Sequence, residues 1–132
     1  MPHPLLDRLV DDLGWQVCDD PEALAAFADR PGEHMLLIPG DPAKNLETTD
    51  AAVVAPELAQ AFQHRFDCAL VQTPKDRPVR EAVGVWQTPA LVFFRDGRRI
   101  GAIPKIRDWD DYIARARLIL DCAAMPAPAR VH

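Results

Sequence analysis

The side chains of this chain that could do chemistry are few and mostly scattered. Cys18, Cys68 and Cys122 stand 50 and 54 positions apart. Dithiol exchange needs a second thiol within reach of the first, and a zinc site needs paired Cys or His spacing; neither pattern occurs. An odd count without a disulfide framework fits a reducing compartment, and buried free thiols are the expected state. His3, His34, His64 and His132 show no i, i+3 or i, i+4 pairing, so neither a metal nor any other cofactor is expected. The polar residues that do gather lie between Gly40 and Asp50, in the run G-D-P-A-K-N-L-E-T-T-D. Asp41, Glu47 and Asp50 on this loop could accept the bidentate fork of an arginine guanidinium. The competing reading is structural: Asp50 caps a helix and Asp41 starts a turn.

Charge along the chain limits the partners. Residues 1–66 hold 4 Lys/Arg against 12 Asp/Glu, a net of −8, whereas residues 67–132 carry a net of +3. An acidic front half argues against nucleic acid and permits a cationic partner. No apolar run approaches a membrane span, and the N-terminus has acids where a signal peptide carries bases, so membrane insertion is not expected and the cytoplasm is the expected location. Arg95, Arg98, Arg99, Lys105 and Arg107 are expected to solubilise a turn and an edge strand rather than to bind an acidic partner.

These residues must be positioned by the elements between them. The anchor is Val85 to Ile103: an apolar strand from Ala90 to Phe94, an Asp96-Gly97 turn and a second strand from Arg98 to Ile103, which predict a β-hairpin. Upstream, Leu5, Leu6, Leu9, Val10 and Leu13 have helical spacing, and Trp15 to Cys18 alternate as a short strand does. Asp20-Pro21 opens a helix. His34 to Ile38 form a central strand covered on both faces. A helix follows Thr48, Thr49 or Asp50 as its cap, with Val53, Val54, Leu58, Ala61 and Phe62 on its buried face and a kink at Pro56. Phe66 to Gln72 read as a strand, Pro78 to Val83 as a short helix, and Asp108 as the cap of a last helix whose buried stripe includes Trp109, Tyr112, Ile113, Ala116, Leu118, Ile119 and Leu120. One α/β domain over residues 1–124 is expected, a mixed central sheet with helices on both faces, followed by a frayed tail at 125–132.

This order, with Thr88-Pro89 before a V-F-F-R-D-G hairpin and Val54-Ala55-Pro56 in the preceding long helix, resembles thioredoxin from about Trp15 to Leu120. The resemblance implies a thioredoxin-like fold with a cis Thr88-Pro89 bond facing the start of the helix near Asp50. Counting back from Val54-Ala55-Pro56, Glu47-Thr48-Thr49-Asp50-Ala51 stand where thioredoxin has W-C-G-P-C. Thr48 and Ala51 carry no sulfur, so dithiol chemistry cannot be built there, and the chain is not expected to be an enzyme. The rival of a lone-cysteine redox protein meets three badly placed thiols.

Among thioredoxin-like proteins without the dithiol, the chain is similar to the HupG/HyaE type of hydrogenase expression and formation protein. The acidic front half, the loop through Pro39-Gly40 and Asn45 to Asp50, the P-E-L-A helix and the Trp86 to Gly97 block carry this likeness. It implies a cytoplasmic chaperone for an uptake nickel-iron hydrogenase, whose partners are the small-subunit precursor, through its twin-arginine signal peptide, and other maturation proteins. Under that reading the peptide site comprises Trp86, Thr88 and Pro89 with Asp41, Glu47 and Asp50, and an extended segment pairs beside the proline. The alternative is a structural subunit of a maturation complex.

Overall fold

A computed structural model of the chain describes residues 4–40, 47–73 and 75–122. The Asp41 position and the expected tail at 125–132 lie outside them. The described elements run α1 Pro4–Asp11, β1 Gln16–Val17, α2 Pro21–Ala28, β2 Glu33–Ile38, α3 Thr48–Ala61, β3 Asp67–Leu70, α4 Arg77–Val83, β4 Ala90–Arg95, β5 Arg98–Pro104 and α5 Trp109–Cys122.

The five strands form one sheet in the order β1-β3-β2-β4-β5. β3 runs parallel to both β1 and β2, whereas β4 is antiparallel to β2 and β5. The connections into β3 pass through helices, as parallel pairing requires, while the short hairpin supplies the antiparallel end. β2 is central, as its unbroken apolar run predicts. Its alternate residues feed two cores: Met35 and Leu37 pack with α1, α3 and α5 on one face. Leu36 and Ile38 pack with α2 and α4 on the other.

Local chemistry explains the boundaries. Asp20 caps α2 by accepting from the Ala23 N–H at 2.8 Å, with Pro21 in the first turn. Asp96 (φ 50°) and Gly97 (φ 88°) turn the hairpin with both residues in the left-handed region, as a type I′ turn demands. This turn is pinned to the segment between α2 and β2: Asp96 N donates to the Gly32 carbonyl at 3.1 Å, Asp96 Oδ1 accepts from Gly32 N at 2.8 Å, and Gly97 N donates to the Ala28 carbonyl at 2.8 Å. At the opposite end of β4 the Thr88-Pro89 bond is cis. Facing the hairpin, α5 lies so close to β5 that a Cβ on Gly101 would stand 2.7 Å from Ile119 Cγ1.

Three expectations are corrected. Trp109 is 41% exposed and Leu118 63% exposed, so neither belongs to the buried stripe of α5. Trp109 is the first residue of the helix, and the face packed inward is set by Tyr112, Ala116 and Leu120, from which Leu118 points away. Val53 is likewise 42% exposed, because α3 buries Ala51, Ala52, Ala55, Leu58 and Ala59 instead. The N-cap position of α3 is Glu47, which makes no side-chain capping bond; Thr48 is already helical and Asp50 sits in the first turn.

Candidate binding cleft

The start of α3 and the cis-proline loop pack against each other around one narrow, nearly closed cleft. Ala51, Val54 and Ala55 from α3 face Pro89 and Ala90, with Leu37, Leu91 and Ile103 from the sheet beneath and Lys105 and Tyr112 closing the side. The Lys105 N–H donates to the Pro89 carbonyl at 2.6 Å, and the Tyr112 hydroxyl donates to the Lys105 carbonyl at 3.1 Å. The proline loop, the segment after β5 and α5 are thereby tied together. Sequence reading missed Ile103, from the second strand of the hairpin, and Lys105 and Tyr112, which come from the segment and the helix beyond it. The signal that could have found them is the Ile103-Pro104-Lys105 stretch that brings β5 back beside Pro89.

Thr48 and Ala51, which the resemblance sets at the two sulfur positions of thioredoxin, are both buried. The Thr48 hydroxyl donates to the Pro39 carbonyl at 2.8 Å, so the first helical residue is fastened to the end of β2. Ala51 presents only a methyl group to the cleft. Elsewhere, burial pushes the Cys18 thiol up to about 11, helped by the Asp19 and Asp20 carboxylates and opposed by Arg30. Burial pushes the Cys68 thiol up to about 12, helped by Asp67. Neither is poised as a thiolate at neutral pH. Among the described residues no cluster of His, Cys, Asp or Glu could hold a metal, and no helix is long and apolar enough to cross a membrane.

The carboxylates expected at the rim stand at the start of α3 and do not line the cleft. Asp50 is exposed in the first turn of α3 and Glu47 is half-buried just before it. Both are near enough for their negative charge to act on Tyr112, whose hydroxyl is raised above the usual phenol range by burial, against the opposing Arg107, and further by Glu47 and Asp50. Thr88 is half-buried beside Pro89. Trp86, 67% exposed, lies outside the cleft. It lines a neighbouring groove with Gly84, Val85, Gln87, Arg99, Ala102 and Pro104. Of the six expected site residues only Pro89 lines the cleft; Trp86 lines the groove beside it, Glu47, Asp50 and Thr88 are in neither lining, and Asp41 lies outside the described residues.

The hairpin arginines also separate by role. Arg95 pairs with Glu33, which also accepts from Arg65 Nε at 2.6 Å, and Arg95 donates to the Leu120 carbonyl at 3.1 Å. This residue is structural, whereas Arg98 and Arg99 are exposed.

Sheet order, cis-proline and a helix start without thiols define a thioredoxin-like protein that lacks the dithiol. Mitochondrial thioredoxin 3 of Saccharomyces cerevisiae shares this fold with a TM-score of 0.66 at 13% identity, over 83% of this chain and 96% of that one. A family model described as hydrogenase-1 expression protein HyaE matches residues 5–112, and the chain belongs to that family of hydrogenase expression/formation proteins. The hydrogenase expression/formation protein HupG of Rhodobacter capsulatus is 54% identical over 118 residues, which cover 89% of this chain and 86% of that protein. A crystal structure assigned as HupG of Rhodopseudomonas palustris matches with a TM-score of 0.53 at 30% identity, over 84% of this chain and 99% of that one.

Proposed function

We propose that the chain is a non-catalytic, cytoplasmic chaperone in the maturation of an uptake nickel-iron hydrogenase, and that it holds the small-subunit precursor by its twin-arginine signal peptide. The observation that carries this reading is the cleft between α3 and Pro89. It keeps the apolar floor and cis-proline of a thioredoxin peptide site, but has Thr48 and Ala51 in place of sulfur. Family membership supplies the hydrogenase context. Carboxylates supply the selectivity: Glu47 and Asp50 flank the helix start, and guanidinium groups pair with carboxylates in a geometry that ammonium groups cannot match. An extended segment laid beside Pro89 would rest its apolar side chains on the partly exposed Val54 and its arginines on Glu47 and Asp50.

The test is calorimetric titration of the purified protein with a synthetic hydrogenase small-subunit signal peptide and with a control whose twin arginines are lysines. Saturable binding that weakens sharply with the control supports the reading. Equal binding of both peptides removes the guanidinium selectivity, and no binding of either removes the signal-peptide role in favour of a structural subunit of a maturation complex.

A further inference from the structure

The Trp86 groove is a feature separate from the cleft. Its volume is about 460 Å³, within the range of specific binding pockets, which is about 300–1,000 Å³. It opens on the α2/α4 side of the sheet. Trp86, the most exposed large apolar residue described, forms one wall. Arg99, Ala102 and Pro104 of β5 line the groove as well. Arg99 reaches this face through a β-bulge: Phe93 pairs with Gly101 but Phe94 pairs with Arg99, leaving Ile100 as the extra residue. Because Phe94 and Val92 share a face, their partners Arg99 and Ala102 do too. Among the described residues Arg99 is the sole ionisable one of the lining, which holds no carboxylate to neutralise it.

We infer that this groove is a second docking site, separate from the Pro89 cleft, for a partner-protein segment that places an apolar side chain against Trp86 and a carboxylate on Arg99. Charge complementarity selects this occupant. The start of α3 carries Glu47 and Asp50 and calls for cations, whereas the groove carries one guanidinium on an apolar bed and calls for an acid beside an aliphatic or aromatic group. An indole wall with an arginine in the same lining is also the composition that concentrates binding energy at protein interfaces. Pairing along the open edge of β5 is disfavoured by the bulge, by the exposed Arg98 and by Pro104, which lacks an N–H. The ligand is therefore held by side chains in the groove and not as a sixth strand.

The test is a nuclear magnetic resonance titration of the full chain, following the Trp86 indole N–H, with the peptide acetyl-Gly-Ile-Glu-Val-Phe-Gly-amide. Two controls accompany it, one with lysine for the glutamate and one with serine for the three apolar residues. The acidic apolar peptide is expected to shift the Trp86 signal saturably and both controls to bind more weakly, by about two- to fivefold for the charge change. Arg99→Glu should reverse the preference between the acidic and lysine peptides, while Arg98→Glu, with the same change in net charge but outside the groove, should leave it intact. Trp86→Ala, followed through the backbone amides of Arg99 and Ala102, should abolish binding, and Glu47→Ala/Asp50→Ala should not alter it, which separates this site from the signal-peptide reading. Absence of a Trp86 response, or an unchanged preference in Arg99→Glu, overturns the inference. Sedimentation showing Trp86-dependent self-association without peptide binding would assign the groove to a second copy and overturn it equally.

Discussion

The Thr48 hydroxyl donates to the Pro39 carbonyl across the gap between the first turn of α3 and the end of β2, at 2.8 Å and out of contact with water. A residue that the resemblance sets where thioredoxin holds a reactive sulfur serves here as a structural tie. Thr48→Val keeps the shape and removes the donor, leaving a carbonyl without its partner. The loss should be about 1–3 kcal/mol, read as a lower urea midpoint at constant slope. An unchanged midpoint would show that the tie is replaceable.

Arg65, Arg95 and, through them, α5 converge on the Glu33 carboxylate. Burial pushes this carboxyl up, but hydrogen bonds from Arg65 and Arg95 and the charge of both guanidinium groups outweigh it, so the group is held below the ordinary carboxylate range. A folded-state value below the unfolded one means that the stabilisation is fully present above about pH 4.5 and is lost as pH falls through the folded value. Unfolding midpoints of the native chain and of Glu33→Gln should differ at pH 7 by about 1–3 kcal/mol and converge on acidification. A difference that stays constant with pH would rule out Glu33 as the titrating group.

Gly101 and Ile119 should show coupled energetics. A methyl group on Gly101 meets Ile119 at 2.7–3.0 Å from three of its carbons. Gly101→Ala should therefore cost about 1–3 kcal/mol by overpacking. In the background of Ile119→Ala, which removes those carbons, the same substitution should cost much less. A double-mutant cycle measures the difference, and simple additivity would mean that α5 moves aside freely.

Thiol reactivity checks the non-redox reading. With Cys122 replaced by serine, Cys18 and Cys68 should react with Ellman's reagent at pH 7 at least about a hundredfold more slowly in the folded chain than in urea, because burial holds both thiols far above neutrality. Fast labelling of either one in the folded protein would revive a monothiol mechanism.

The carboxylates at the start of α3 make a separate demand. Glu47→Ala/Asp50→Ala should weaken signal-peptide binding about tenfold while leaving the thermal midpoint within a few degrees, since neither carboxylate caps α3 through its side chain. Loss of binding together with loss of stability would instead mark the pair as structural.

The parts of this arrangement legible in the sequence were those written in short, local patterns. Asp96-Gly97 specified the hairpin, Asp20-Pro21 the start of α2, and Val54-Ala55-Pro56 carried the resemblance that set Ala51 opposite Pro89. The face of α5 was misread because apolar residues at Trp109 and Leu118 satisfy hydropathy without satisfying the angle set by Tyr112 and Ala116. Lys105 was missed as a cleft residue because it reaches the Pro89 loop through its backbone N–H, which leaves no mark on residue type, and Tyr112 because its hydroxyl joins the cleft only through the Lys105 carbonyl. Arg99 was placed with Arg98 as a solubilising charge. Strict alternation would turn it away from Ala102, and the extra residue at Ile100 reverses that parity.

The hairpin turn has a bearing on a place it never touches. β4 is anchored at one end by Asp96 and Gly97, which grip Gly32 and Ala28, and delivers Pro89 at the other, about 20 Å away at the usual rise per residue. The strand thus works as a ruler: the turn fixes its zero, the ladder with β2 fixes its divisions, and the width of the cleft opposite Ala51 is where the measurement is read.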